Sequence, residues 1–257
     1  MHTITWRDSQ STPAHAQDFE LQGRVRRVTG ALWLPDTYDA NTPMVLLGHG
    51  ASGDRYQSPI PHLAKRFLAT GFISLAIDGP VHGLRQVGDG AREAFWQEMQ
   101  RNGFMDDMVK DWQDAFAAVC KDKQIGSGKL GYFGLSMGTI FGVPLLANGL
   151  SVDDTVGSDA PNAPTAQICA SVIGLCGTAG ATQKQDAMLA ADAARIHHPV
   201  LFLMQLEDEL FPRAGCLELF DAVGSDNKCL HANPGLHPDV PAQEIDHTFD
   251  FLQSRLS

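Results

Sequence analysis

Residues Lys129 to Asn148 read KLGYFGLSMGTIFGVPLLAN, and this stretch decides the predicted fold. It begins as a short apolar strand over Leu130 to Phe133, turns through Gly134-Leu135-Ser136-Met137-Gly138 and continues as a mostly apolar helix. The pattern G-x-S-x-G between a strand and a helix is the setting in which a serine acts as a nucleophile. The two glycines are needed because a β-carbon at either would collide with a neighbouring strand or helix. The alternative is a glycine-rich turn with an inert serine, but pattern and context together favour a nucleophile at Ser136.

The composition is that of an acidic globular chain. It has 257 residues, of which 44% are hydrophobic, and its formal net charge is −11 at pH 7. Nucleic acids and anionic membranes attract basic surfaces, so we expect neither a nucleic acid nor a membrane as a partner. The N-terminus lacks the basic and apolar segments of a signal peptide, and no apolar stretch is long enough to cross a bilayer. The sequence leaves open whether the chain forms homo-oligomers.

The sequence predicts neither a metal nor an organic cofactor. Asp78 and His82 are close in sequence, but no third ligand follows at a suitable spacing. The run Gly126 to Gly131 matches G-x-G-x-x-G but precedes a strand, which is not the arrangement that binds a dinucleotide. The cysteines are odd in number and match no metal or disulfide spacing, so we interpret them as free thiols in a reducing cytoplasm: Cys120, Cys169, Cys176, Cys216 and Cys229.

Buried apolar runs alternate with amphipathic segments along the chain. The predicted strands after an N-terminal antiparallel hairpin are Met44–Leu47, Phe72–Ile77, Leu130–Phe133, Ile168–Leu175, Val200–Leu206 and Lys228–His231. This alternation predicts an α/β fold in one domain over residues 1–257, with a mostly parallel central sheet and helices on both faces. Segments 84–104 and 178–198 are candidates for a small cap. In such sheets, active sites form beyond the carboxyl ends of the strands, where the Ser136 turn lies.

A serine nucleophile needs a base, and the base needs a third group to hold its tautomer. The strand Val200–Leu206 ends in three carboxylates, any of which could be that third group. Asp208 is best placed because it follows the strand end and precedes a turn of apolar residues and proline. Glu207 and Glu209 are more simply interpreted as solvated surface acids.

Ten histidines compete for the role of base. We predict His237, which lies in a loop between the last strand and the last helix and could therefore fold back onto Ser136. His231 on the last strand and His247 in the last helix are the alternatives. His49 and His82 are interpreted as braces of the loops beside the site, while His197 and His198 precede a strand at the wrong end of the sheet.

The order Ser136, Asp208, His237 is the nucleophile–acid–base order of the α/β-hydrolase fold. The chain resembles serine hydrolases of the α/β-hydrolase superfamily and is similar to bacterial carboxylesterases and the wider dienelactone-hydrolase-like group. The resemblance runs from about residue 24 to 256 and rests on LLGHGASG (46–53), AIDGPVHG (76–83), GYFGLSMG (131–138), LEDELFP (206–212) and NPGLHP (233–238). Dienelactone hydrolases themselves use cysteine as the nucleophile, and related dehalogenases and epoxide hydrolases use aspartate, whereas this chain has Ser136.

The resemblance implies a carboxylesterase that cleaves small-molecule esters through an acyl-enzyme. It also implies an oxyanion hole formed by the backbone N–H groups of Ala51 and Met137. A thioesterase, an amidase or a peptidase would use the same residues, and the fold could also serve as a ligand receptor with little turnover. The intact set of Ser136, Asp208 and His237 favours the enzyme.

Overall fold

A twisted sheet forms the centre of the molecule. The computed structural model describes residues 3–7, 15–88, 91–126, 128–151, 165–180 and 185–257. Its strands are β1 (Ile4–Arg7), β2 (Gln17–Gln22), β3 (Arg27–Trp33), β4 (Met44–Gly48), β5 (Ile73–Ile77), β6 (Leu130–Leu135), β7 (Leu150–Ser151), β8 (Thr165–Ala166), β9 (Ile168–Gly174), β10 (Val200–Gln205) and β11 (Lys228–Asn233).

Nine of these strands, within the described residues, join in the order β1-β2-β3-β5-β4-β6-β9-β10-β11. The pairs from β1 to β5 are antiparallel, and every pair from β5 onward is parallel. The β2–β3 hairpin turns at Gly23, whose N–H donates to the Arg26 carbonyl at 2.9 Å. The short strands β7 and β8 pair separately and antiparallel. The predicted mostly parallel sheet with an N-terminal antiparallel hairpin is therefore confirmed.

Helices cover both faces of the sheet, as predicted. They are α1 (Ile60–Ala69), α2 (Ala91–Met99), α3 (Phe104–Lys123), α4 (Met137–Asn148), α5 (Asp186–Ala193), α6 (Arg213–Ala222) and α7 (Ala242–Leu256). Alternate residues of a strand point to opposite faces, so Leu46 of β4 packs in the core with α3 and α4, while Leu47 packs with α1 and α7. None of the described helices is both long and apolar enough to span a bilayer.

The two predicted cap segments each contain a short helix. Segment 84–104 contains α2, and segment 178–198 contains α5, although residues 89–90 and 181–184 lie outside the described part. The Gln185 side-chain amide donates to the Met99 carbonyl at 3.3 Å, so the two segments are in contact. Their role as a cap stays a prediction.

Candidate active site

Ser136 lies alone between β6, which ends at Leu135, and α4, which begins at Met137. Its backbone has φ = 57° and ψ = −118°. A positive φ is uncommon in a residue other than glycine, and such strain persists only where the surrounding structure holds it. The Ser136 N–H donates to the Gly174 carbonyl of β9 at 3.0 Å, and its own carbonyl accepts the first two hydrogen bonds of α4. The neighbouring strand and the helix therefore hold the strained turn between them.

The glycines on either side of Ser136 are required by close packing. A β-carbon on Gly138 would lie 2.8 Å from the Gly48 carbonyl oxygen of β4. A β-carbon on Gly134 would lie 2.9 Å from the backbone carbon of Gly138. Both separations are shorter than real β-carbon contacts, so any side chain would push the helix away from the sheet.

His237 lies in the loop between β11 and α7 and contacts both of its predicted partners. Its Nε2 lies 2.9 Å from Ser136 Oγ, and its Nδ1 lies 2.7 Å from Asp208 Oδ2. An ionised carboxylate can only accept, so Nδ1 carries the proton and donates to Asp208. Nε2 is then free to accept the hydroxyl proton of Ser136. The structure thus places the three residues in one hydrogen-bonded relay, with His237 rather than His231 or His247 beside the serine.

Asp208 is held by its backbone surroundings as well as by His237. Its Oδ1 accepts the N–H groups of Leu210 at 2.8 Å and Phe211 at 2.9 Å, and its side chain is completely buried. Burial opposes ionisation of the Asp208 carboxyl, but the hydrogen bonds from His237, Phe211 and Leu210 outweigh it and lower its pKa below the usual value. The group facing His237 is therefore a carboxylate at neutral pH.

Glu207 and Glu209 form hydrogen bonds with the loop that carries His237. Both residues are exposed, in agreement with their interpretation as solvated acids, and each also accepts a backbone N–H of the loop that carries His237. Glu207 Oε2 lies 2.5 Å from the Gly235 nitrogen, and Glu209 Oε2 lies 2.8 Å from the His237 nitrogen. The three carboxylates after β10 thus hold this loop together. The sequence shows three adjacent acids at this position, but a pattern of apolar residues does not reveal which groups the acids contact.

His49 braces the loop that follows β4. Its Nδ1 lies 2.7 Å from the Gly50 carbonyl oxygen, and its Nε2 accepts the Gly79 N–H at 2.7 Å. Burial, aided by nearby His82, lowers the pKa of His49 to about 4, so the ring is neutral and can accept at Nε2 while donating at Nδ1. The Gly50 carbonyl therefore points toward His49. Because C=O and N–H of a trans peptide unit point in opposite directions, the Ala51 N–H is directed away from His49.

His82 braces the same loop through a second backbone contact. Its Nε2 lies 3.0 Å from the Ala51 carbonyl oxygen and its Nδ1 lies 2.6 Å from the Pro80 carbonyl oxygen. Its ring also contacts the ring of Phe95 on α2, with centroids 5.2 Å apart. The segment that contains α2 is therefore linked through His82 to the loop that carries Ala51.

The remaining histidines of interest lie elsewhere. His198 Nε2 lies 2.9 Å from Ser171 Oγ, and His197 Nδ1 lies 3.1 Å from the Gly224 carbonyl oxygen. His231 and His247 both contact Glu244 instead of Ser136. These positions agree with the interpretation of His237 as the base, but the catalytic roles themselves stay predictions.

Comparisons with known proteins find similarity to solved structures of esterases. No protein-family model matches the chain, and no curated protein matches it. A cold-adapted esterase from an Arctic intertidal metagenomic library is similar, with a TM-score of 0.78 and 31% identity over 98% of this chain and 100% of its own. An acetyl xylan esterase from Paenibacillus sp. R4 has a TM-score of 0.69 and 14% identity, covering 99% of this chain and 89% of its own. An esterase from Pyrococcus furiosus has a TM-score of 0.66 and 15% identity, covering 98% of each chain.

The fold and the turn at Ser136 define an α/β hydrolase. The two relatives near 15% identity support that fold alone. The relative at 31% identity covers nearly the whole chain, and on that basis this chain belongs to the esterase-like hydrolases of the α/β-hydrolase superfamily.

Proposed function

We propose that this protein hydrolyses carboxylic esters of small molecules through a covalent acyl-enzyme formed on Ser136. The observation that carries the proposal is the unbroken relay from Asp208 through His237 to the Ser136 hydroxyl. A hydroxyl whose proton is already directed at a base, and whose base is oriented by a carboxylate, can become a nucleophile without rearrangement.

In the first half of the reaction, His237 Nε2 takes the hydroxyl proton while Ser136 Oγ forms a bond to the ester carbonyl carbon. The negative charge that develops on the carbonyl oxygen is stabilised by the N–H groups of Ala51 and Met137. Met137 is the first residue of α4, where the N–H has no partner within the helix. Losing one donor of this kind typically costs about 100- to 1000-fold in rate.

In the second half, His237 gives its proton to the leaving alcohol as the ester C–O bond breaks. Water then enters, loses a proton to His237 and attacks the acyl group, which releases the carboxylic acid and returns the proton to Ser136 Oγ. Asp208 remains ionised throughout and stabilises the positively charged ring that forms in each half. These steps require no metal or organic cofactor.

The proposal also covers the type of bond that is cleaved and the cellular location of the protein. A thioester or an amide would pass through the same steps, but the relative at 31% identity is named an esterase, which favours an oxygen ester. The sequence predicts a cytoplasmic location and a small-molecule ester as the substrate, and both remain part of the proposal.

Hydrolysis of p-nitrophenyl acetate, compared with a matched thioester and anilide, tests the proposal. We expect the ester to be cleaved fastest and Ser136→Ala to remove the activity. The matched control is Ser58→Ala, at an exposed serine outside the relay, which should retain it. Turnover that survives in Ser136→Ala, or a faster reaction with the anilide than with the ester, would refute the proposed function.

A further inference from the structure

Two histidines and one glutamate meet where the edge strand β11 packs against α7. His231 lies on β11, and Glu244 and His247 lie three residues apart on α7, so their side chains share one face of the helix. Glu244 Oε2 lies 2.7 Å from His231 Nδ1 and 3.4 Å from His247 Nδ1. One potential ligand atom from each of the three residues lies within 4.8 Å of the other two.

The cluster is built as a buried carboxylate with two imidazoles at its rim. The Glu244 side chain is 8% exposed, whereas those of His231 and His247 are 31% and 53% exposed. The exposed edges of the two rings leave the solvent side of the cluster open to water.

This set of ligand atoms suits a particular class of ion. Two imidazole nitrogens and one carboxylate oxygen are ligands that Zn²⁺, Co²⁺ and Ni²⁺ accept, at metal–ligand distances of about 2.0–2.2 Å. Tetrahedral bonds of that length separate neighbouring ligand atoms by about 3.4 Å. The separation between His247 Nδ1 and Glu244 Oε2 is already 3.4 Å. The 2.7 Å hydrogen bond from His231 would open as the ion replaces its proton.

We propose that His231, Glu244 and His247 bind one divalent transition-metal ion such as Zn²⁺ or Co²⁺, with water completing the coordination. The site is distinct from the Ser136 relay. It also brackets the loop that carries His237, since His231 lies on the strand before that loop and Glu244 and His247 lie on the helix after it. A bound ion therefore ties the two ends of the loop together and stabilises the fold around it.

Other side chains can also bind such an ion, so the experiment must distinguish binding at the proposed site from binding at these side chains. Cys229 is an exposed free thiol on the same strand, and the ring of His237 could bind an ion in place of its relay contacts. Cys229→Ser is therefore the background for all measurements. His247→Ala removes an exposed ligand and Glu244→Gln keeps the size of the buried one, so neither change should prevent folding. His62→Ala is the matched control, because it removes an exposed helical histidine elsewhere.

Calorimetric titration of the full chain with ZnCl₂ tests the proposal, with melting temperature as a second readout. We expect one ion per chain, at least tenfold weaker binding in His247→Ala and Glu244→Gln, and unchanged binding in His62→Ala and His237→Ala. Saturating Zn²⁺ should raise the melting temperature by several degrees in the background protein but not in His247→Ala.

Three results would overturn the site. The first is the absence of saturable binding up to millimolar Zn²⁺, and the second is binding that survives both His247→Ala and Glu244→Gln. The third is binding lost in His237→Ala but kept in His247→Ala, which would place the ion in the Ser136 relay. None of these results bears on ester hydrolysis, which is measured without added metal.

Discussion

At the scale of single residues, the site depends on how the two oxygens of Asp208 are used. Oδ1 is occupied by two backbone N–H groups, from Leu210 and Phe211, so only Oδ2 faces His237. This division fixes both the position of the carboxylate and the tautomer of the ring. Asp208 is therefore held by the local backbone, and it in turn keeps the proton of His237 on Nδ1, which leaves Nε2 free to act as the base.

Asp208→Asn should disable the base while leaving the fold intact. The two backbone N–H groups would keep the asparagine oxygen at the Oδ1 position, which turns the NH₂ group toward His237. His237 Nδ1 would then have to accept, and the proton on Nε2 would point at Ser136. We expect kcat for p-nitrophenyl acetate to fall about 1000- to 10,000-fold. A loss of less than tenfold in a folded variant would contradict the assignment of Asp208.

The same carboxylate should contribute to stability against acid. The pKa of Asp208 is lower in the folded chain than its ordinary value, so its ionisation stabilises the fold above about pH 4, the unfolded value. That contribution disappears as the pH falls through the lowered pKa. Urea unfolding at a series of pH values should show the wild type losing more stability below about pH 4 than Asp208→Asn does. Parallel pH curves for the two proteins would contradict this reasoning.

At the scale of elements, the strand β6, the turn and the helix α4 behave as one unit. Ser136 can keep its positive φ only because Gly134 and Gly138 let the strand, the turn and β4 approach one another closely. The hydroxyl is therefore positioned by backbone packing and not by contacts of the serine side chain alone.

Gly138→Ala should damage this unit more than an alanine at an open glycine. The new methyl would lie 2.8 Å from the Gly48 carbonyl oxygen, whereas at Gly71 it would meet nothing within 4 Å. We expect Gly138→Ala to cost about 1–3 kcal/mol of stability and to lower kcat/KM strongly. Gly71→Ala should cost about 1 kcal/mol, from its positive φ alone, with full activity. Equal effects of the two changes on activity would contradict the packing argument.

This unit was predictable because its signals are local. The apolar run before Ser136 and the spacing of the glycines determine strand, turn and helix without distant contacts. The first turn of helix α6 is harder to predict, because Arg213, Ala214 and Gly215 at its start carry no apolar periodicity. The contacts of Glu207 and Glu209 could not be predicted at all, since they depend on where a loop about 28 residues later folds back.

At the scale of the whole molecule, one buried ion network joins the antiparallel and parallel parts of the sheet. Arg55, after β4, binds Asp18 of β2 at 2.9 Å and Asp78, after β5, also at 2.9 Å. Thr29 of β3 donates to Asp78 at 2.6 Å. At the start of the predicted cap, the Leu84 N–H also donates to Asp78, at 3.2 Å. The loop of Ala51 and the predicted cap thus share anchors with the N-terminal strands.

Arg55→Met should destabilise the whole protein. It would leave two buried carboxylates without their cation, a change that typically costs about 3–5 kcal/mol. Arg195→Met is the control, because that side chain is 54% exposed and its pair with Asp192 should contribute at most about 1 kcal/mol. Urea unfolding measures both. If Arg55→Met were no less stable than Arg195→Met, the network could not be an anchor of the fold.

Labelling with a fluorophosphonate, followed by peptide mass spectrometry, tests most directly whether the Asp208–His237–Ser136 relay activates the serine. The account predicts one adduct per chain on Ser136, formed quickly by the wild type, slowly by His237→Ala and not at all by Ser136→Ala. An adduct on another residue, no adduct on the native protein, or equal labelling rates in the wild type and His237→Ala would contradict it.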